Sequence, residues 1–560
     1  MTTLPPPPPP PPGLVPLPPT AAPGAPPRPL AWLLLVPAAI ALLISYVIPT
    51  VQVMVGTIRT PSLAGRKGDW IGGRAWSREL GDTLVAVLRG LALVAPALGA
   101  VLVGTLLGLA AAHAGRPARW TLRIMLAALA ATLVSPAALL VSILVDLRDG
   151  PSTGTRWLLG APLLVPAAAA VAATAALAAA RRGTRPARPG TALAVVTAGL
   201  ICAATAIALA LQDPSGITRA IGRGPAERIW RGLLFFDIAS SDVAATVLLT
   251  VLGALGLGTV ALVIATGLRL DVAPRRARAG ATTRSPAAVP AAVPAAVVTV
   301  LGIVVLLAVA WFCLRPWLHL LTGTTTFPTV RGTGDSTWAT TARTWLPPLL
   351  PAVVGVLVAL AGGVAIGGLR PAGRYSEALL LPFAPWLFVG SLPFVVHRIM
   401  DLGRTGEWLQ LIPPVWINVP ALVVFTLFFR GQCARVARRT GRSHARCLTT
   451  WPVILPALPL VAAVGVVAWI VLAQDLVWSM ATSSPQRPTG PASMLNAAGQ
   501  YGLGIDLGTG RLVALVVACV LAGAALQVTY LDRITLRAGR APVGPARDGH
   551  PAAGVSPGTS

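Results

Sequence analysis

The chain is 560 residues long, 55% hydrophobic and only 11% charged, with a formal net charge of +26. Soluble domains carry about a quarter of their residues as charges, so this composition, with a mean hydropathy of +0.75, excludes an ordinary soluble fold. The positive excess does not point to nucleic acid either: the arginines sit in short loops between apolar runs, where the positive-inside rule accounts for them.

Residues 1–28 open on the tract Pro5 to Pro12 and predict an extended, disordered polyproline arm. It lacks the positive n-region of a signal peptide, and the apolar run that follows is too long for an h-region. A run of about 20 apolar residues matches the hydrocarbon core of a bilayer. The first half, 29–270, offers such runs near 31–55, 85–112, 124–145, 157–180, 192–211 and 243–268. A basic linker at 271–290 interrupts the series. The second half, 291–540, resumes it near 291–314, 346–369, 378–396, 411–429, 453–473 and 512–530. A Gly-, Pro- and Ala-rich tail, 541–560, reads as disordered. The expected fold is an all-α membrane protein with about twelve transmembrane helices in two similar six-helix bundles.

Loop charge sets the expected orientation. Arg181, Arg182, Arg185 and Arg188 share one connection, and Arg430, Arg435, Arg438, Arg439, Arg442 and Arg446 share another, almost without acids. Opposite loops are mixed: Asp213, Glu227, Asp237 and Asp242 balance Arg219, Arg223, Arg228 and Arg231. This alternation predicts a multi-pass protein of the cytoplasmic (inner) membrane with both termini cytoplasmic. Each half also opens with a span that leaves through a proline segment, a weak parallel repeat that suits a path between matching bundles.

Several chemistries lack their residues. The only lysine, Lys67, precedes Gly68, so no phosphate-cradling Gly-x4-Gly-Lys-Ser/Thr loop exists. Five scattered histidines form no zinc motif. Cys433, His444 and Cys447 share one loop, but their spacing fits no common zinc pattern. Cys202, Cys313 and Cys519 lie in apolar runs as small hydrophobes. No cofactor or metal is expected. Paired carboxylates within a span, the mark of many ion-coupled carriers, are missing. A passive or externally driven pathway is left.

From about 345 to 540 the chain resembles the inner-membrane permeases of maltose-type ATP-binding-cassette sugar importers. Leu379-Leu-Leu-Pro382 and Gly390-Ser-Leu-Pro393 resemble that family's third span. Asp401-Leu-Gly-Arg-Thr405, Trp416-Ile-Asn-Val-Pro420 and Phe428-Phe429-Arg430-Gly431 resemble the approach to its cytoplasmic coupling loop, here 430–451. Arg435, Val436, Ala437 and Gly441 stand where the family has Glu-Ala-Ala and Gly. Val453-Ile-Leu455-Pro456 matches the closing Ile-x-Leu-Pro. Gln474-Asp475 with Trp478 is similar to the family's Trp-Asn-Asp/Glu stretch. The first half resembles a partner permease more faintly: Leu33 to Pro49, Trp70 to Leu80, and Trp230 to Leu270. There a basic stub at 181–189 replaces the coupling loop, and in the second half Arg435 reverses the charge of the family's Glu.

The resemblance implies a permease with no nucleotide site of its own, importing a small solute, a carbohydrate, by alternating access. It implies cytoplasmic ATPase subunits gripping Arg435, Val436, Ala437, Gly441, Leu455 and Pro456. It also implies an extracytoplasmic solute-binding protein, with Asn418, Gln474 and Asp475 on the solute path or at that contact. Asn418 is also suited to bonding a neighbouring helix, and Asp475 to ordinary solvation at a span end. Two rivals stay open. One is a membrane enzyme such as a lipid-linked glycosyltransferase, which would need an outer-loop carboxylate pair near a first span, for which Asp69, Glu79 and Asp82 are the only candidates. The other is a degenerate, non-transporting membrane subunit.

Overall fold

In the computed structural model the described residues are mainly 28–59, 69–114, 164–180, 189–212, 237–272, 294–304, 337–402, 407–440, 444–484 and 533–539, with isolated residues between. The expected spans at 124–145 and 512–530 fall wholly or mostly outside them, as do both termini and Gly441. Among the described residues, six helices are long and apolar enough to cross a membrane: Pro29–Gly56, Gly190–Leu211, Ile238–Thr266, Ala339–Leu369, Val419–Thr440 and Trp451–Ala473. Shorter apolar helices cover Ala97–Ala112, Val171–Ala180 and Pro294–Val304. The chain is an all-α, multi-pass membrane-type protein.

Sequence explains the irregularities. Pro49 has no N–H to offer the Ser45 carbonyl one turn back, and the first span absorbs this as a π turn, Leu43–Val47. A second π turn, Val364–Leu369, ends at Arg370 in the left-handed region, φ 55°. The helix Arg74–His113 runs 40 residues, about 60 Å at 1.5 Å per residue. That is roughly twice a hydrocarbon core, so its charged first turns stand clear of it. There Arg228 reaches back to Glu79 at 2.8 Å and Asp82 at 2.7 Å.

Small residues set the packing, as expected where lipid offers no hydrophobic drive between helices. Arg74–His113, Leu164–Ala180 and Pro189–Leu211 pack on one another through alanines such as Ala97, Ala169, Ala172 and Ala173. The second group, Ala339–Leu369, Val419–Thr440 and Trp451–Ala473, also takes in the first span, which lies on Ala339–Leu369. One buried apolar cluster therefore runs from Ala38 to Ile534 across both halves. Val419–Thr440 is central, with 78% of its apolar window buried, whereas Trp451–Ala473 is peripheral at 17%. Leu455, Leu458, Val467 and Val471 on that outer helix are exposed, a face suited to lipid.

Two expected spans are corrected. The run 378–396 is no continuous helix. Pro382, Pro385 and Pro393 each remove an amide donor and clash with the preceding turn, and the chain proceeds by 3₁₀ turns at Gly373–Leu380, Ala384–Trp386 and Leu392–Phe394. The next span begins at Val419 rather than 411, after the extended Pro413-Pro414 stretch. It continues to Thr440, through residues read as loop, because its last turns are buried against other chain.

Sequence reading offered no strands. Two short ones pair antiparallel, β1 (Arg269–Val272) with β2 (Ile534–Arg537), in the register Arg269↔Arg537 to Val272↔Ile534. The start of the linker is thereby tied to the end of the chain's last segment.

Candidate functional site

The broken segment 373–394 is the fold's most unusual element for a membrane protein, because it lies at the middle of a span. Gly256, in the interior of Ile238–Thr266, touches it: a Cβ there would meet the Ala384 carbonyl oxygen at 2.1 Å. Leu380, Phe383, Ala384, Leu387, Leu392 and Phe394 are all buried. The first span's π turn grips the same region. Tyr46 meets Phe394 edge-on at 6.3 Å between ring centroids. Ser45 Oγ accepts from the Trp416 N–H at 2.8 Å, and Trp386 Nε1–H donates to Thr50 Oγ1 at 3.2 Å.

Charged or polar side chains fasten the segment at both ends. At one end Gln212 donates from Nε2 to the Phe388 carbonyl at 2.7 Å and accepts the Gly390 N–H on Oε1 at 2.8 Å. Beside it His397 Nε2 stands 3.0 Å from Asp242 Oδ1. At the other end Glu377, buried, meets Arg430 at 2.9 Å and Arg370 at 3.2 Å. His444 Nε2 lies 3.1 Å from the Gly367 carbonyl there. Burial holds the His444 pKa below its usual value, against the pull of that carbonyl, with Arg370 adding to the lowering and Glu377 opposing it.

The expected coupling residues lie near this second end. Arg435 is buried within the chain. Its guanidinium donates to the Val272 carbonyl and stands 3.7 Å from Asp271 Oδ2. Arg537 approaches the same oxygen at 3.1 Å, and Thr535 Oγ1–H donates to Asp271 Oδ1. Gln432 completes the junction: its Oε1 accepts the Val272 N–H at 3.1 Å, and its Nε2 donates to the Pro452 carbonyl at 2.7 Å. Val436 is buried, Ala437 partly so, and Leu455 is exposed on the outer helix. Pro456 accepts from the Tyr530 hydroxyl at 2.6 Å. Arg438 and Arg439 point outward at the helix end. Burial, then the neighbouring Arg438, Arg537 and Arg430 charges, lower the Arg269 pKa.

Two of the three expected path residues serve as caps. Asn418 Oδ1 accepts the Ala421 N–H at 2.9 Å and so caps the Val419–Thr440 helix. Asp475, half-buried, caps Leu476–Thr482 by accepting the Trp478 N–H at 3.0 Å. Burial raises its pKa, although the Ser391 hydroxyl and the Trp478 and Val477 amides pull it back. Gln474 is buried beside it.

Asp242, His397, Gln212 and Glu377 were not singled out as site residues by their sequence context. Their partners lie far away in the chain, so no local spacing announces them. The strands had a faint signal in the alternating runs Arg-Leu-Asp-Val and Ile-Thr-Leu-Arg. No protein-family model, curated protein or solved structure matches the chain.

Proposed function

We propose that the chain is the membrane-spanning permease of an ATP-driven importer, moving a small solute across the cytoplasmic membrane by alternating access. The observation that carries this reading is the proline-broken segment packed at the middle of the Ile238–Thr266 span. Irregular backbone at membrane depth is tolerated where protein buries it or a cavity needs it. Transporters place their substrate sites on discontinuous elements of this kind. A segment pinned at each end by its own charge pair is also suited to opening at one end while the other stays shut.

The sequence has no phosphate-binding loop, so the energy comes from separate ATPase subunits. They dock on the end that carries Arg438, Arg439 and Arg446, which is the cytoplasmic face under the positive-inside rule. An extracytoplasmic solute-binding protein docks on the opposite end, near Asp475. Carbohydrate as the solute class rests on the family resemblance, as does the full count of about twelve spans in two bundles on hydropathy. The test is uptake of a panel of labelled mono- and disaccharides into membrane vesicles. Uptake that requires ATP, with an ATPase co-purifying on the tagged chain, supports the reading; neither signal appearing sinks it.

One observation favours a second reading, a non-transporting membrane subunit. Arg435 is fastened to the chain's own β1 instead of standing ready for an ATPase. ATPase association without ATP-dependent uptake would select it. The enzyme reading has less support, since Arg228 already pairs with both Glu79 and Asp82.

A further inference from the structure

A surplus of positive charge collects where the Ile238–Thr266 span ends. Gly267 closes that helix in the left-handed region, φ 61°, and β1 (Arg269–Val272) starts two residues later. In the antiparallel register Arg269 stands directly across from Arg537 of β2, so both side chains leave the same face of the ribbon. Like charges placed in this way repel. Asp271 shares that face, two residues along from Arg269. Its Oδ2 already serves Arg537 at 3.1 Å and Arg435 at 3.7 Å. The central helix Val419–Thr440 packs on β1 and adds two more cations. Arg430 Nη1 donates to the Leu268 carbonyl at 3.4 Å, and Arg438 is exposed near the helix end.

The acids of this end are already taken. Asp271 holds Arg435 and Arg537, and Glu377 holds Arg430 at 2.9 Å and Arg370 at 3.2 Å. Arg269 Nε is buried and, among the described residues, has no hydrogen-bond partner. Arg438 has no acid partner among them. Burial first, then the Arg438, Arg537 and Arg430 charges, hold the Arg269 pKa down, with Asp271 opposing. The sequence around the ribbon keeps the surplus. Asp532, two places before β2, is followed by Arg533, and the linker after β1 adds Arg275, Arg276 and Arg278 without an acid. The helices Leu164–Ala180 and Pro189–Leu211 pack on β2, and their connection holds Arg181, Arg182, Arg185 and Arg188, again without an acid.

We propose that Arg269, Arg438 and Arg537 form a binding site for one phosphate-bearing anion at the membrane surface. A guanidinium presents parallel N–H donors that match two phosphate oxygens. Arg269 brings its partnerless Nε–H, Arg438 brings an exposed fork, and Arg537 faces Arg269 across the ribbon. The anion supplies the negative charge that the two facing arginines lack and turns their repulsion into a shared attraction. Arg269 lies three residues past the end of the Ile238–Thr266 span, the level at which a bilayer carries its headgroup phosphates. An anionic lipid headgroup reaches the site from the membrane, and a free phosphate reaches it from solution. This goes beyond the permease reading and does not depend on it.

The test measures retention of the anion, not uptake. The tagged full chain is immobilised in a neutral detergent and exposed to radiolabelled phosphatidylglycerol, phosphatidylcholine or inorganic phosphate. The wild type is expected to hold phosphatidylglycerol above phosphatidylcholine. Arg269→Gln and Arg438→Gln are each expected to weaken that retention about fivefold, the scale of one basic side chain at a charged surface. Arg374→Gln removes an exposed charge from the same end. It is expected to change retention by less than about twofold, because solvent ions screen a charge that does not touch the anion. Inorganic phosphate separates the sources. Its retention by the wild type, weakened in the same two variants, assigns the site to the free anion; retention of the lipid alone assigns it to the headgroup. The site is overturned when neither phosphatidylglycerol nor phosphate is held in a way that the two variants weaken. Equal weakening by Arg374→Gln also overturns it, since a diffuse field then accounts for the binding. Should Arg269→Gln fail to fold, the exposed Arg438→Gln still decides.

Discussion

Arg435 has an internal partner in this chain. Asp271, 2% exposed, is flanked by Arg435 and Arg537, so the arginine completes a buried clamp between β1 and the central helix. Removing one member of a buried pair costs about 3–5 kcal/mol, because the other charge is stranded. Arg435→Glu sets two carboxylates together and should cost at least that. Arg435→Ala should cost less, since Arg537 remains. Melting of the purified chain in detergent should rank wild type, Arg435→Ala, Arg435→Glu in descending order; equal midpoints would mean that the clamp does not form. Asp475 gives a prediction with a pH sign. Its folded-state pKa is raised by burial from an ordinary value of 3.8, so the folded chain holds the proton more tightly than the unfolded one. Stability from this group is therefore greatest at low pH and falls as pH rises through the raised value. Asparagine caps as well as aspartate and has no charge to desolvate. Asp475→Asn should melt higher than wild type at neutral pH and converge with it near pH 4 or below, roughly the unperturbed carboxyl range. A uniform offset at every pH would show that the carboxylate's charge is not the cause.

At the scale of elements, sequence reading placed two long apolar helices, one of them with Pro456 and Pro459 inside it, and failed at the run broken by Pro382, Pro385 and Pro393 and at a buried polar face. Ile238–Thr266 and Trp451–Ala473 fall close to the runs 243–268 and 453–473, because length and hydropathy alone determine such helices. The run 378–396 is as apolar, yet three prolines divide it, and hydropathy cannot see a missing amide. The last turns of Val419–Thr440 read as loop because they hold Arg430, Arg435, Arg438 and Arg439. In three dimensions Gly431, Gln432, Arg435 and Val436 form a buried stripe against β1 and Pro452, which keeps those turns helical. The site was less legible than the fold, since Gln212 meets Phe388 across 176 positions and His397 meets Asp242 across 155. Two glycines on one helix test the broken segment directly. A Cβ on Gly256 would collide with the Ala384 carbonyl, whereas nothing lies within 4 Å of one on Gly258. Gly256→Ala should destabilise the chain by about 1–3 kcal/mol, the range for overpacking. Gly258→Ala should be neutral or stabilising by up to about 1 kcal/mol through helix propensity. If both variants melt alike, the segment does not lie against this span as described.

Across the whole molecule, the described polar groups sort by end. Gly56, Gln212, Asp242, His397 and the Asp475 cap of Leu476–Thr482 gather at one end of the bundle, where Trp478 Nε1–H also reaches the Leu411 carbonyl at 3.2 Å. Arg269, Arg370, Arg430, Arg435, Arg537 and His444 gather at the other, with Asp271 and Glu377 as the acids that pair with these arginines. Among the described spans, Ile238–Thr266, Ala339–Leu369 and Val419–Thr440 all run toward this second end, where the described arginines outnumber the acids. By the positive-inside rule, the expected location of this end is the cytoplasm. Each end has an exposed residue suitable for labelling: Leu409 is 82% exposed near the first, and Arg439 lies on the outward face at the end of Val419–Thr440. In a background with Cys202, Cys313, Cys433, Cys447 and Cys519 replaced, Leu409→Cys should react with a membrane-impermeant maleimide in intact cells. Arg439→Cys should react only after the cells are opened. The reverse pattern would place the basic end outside, away from any ATPase, and both variants reacting alike would mean that the two ends do not face opposite sides of a bilayer.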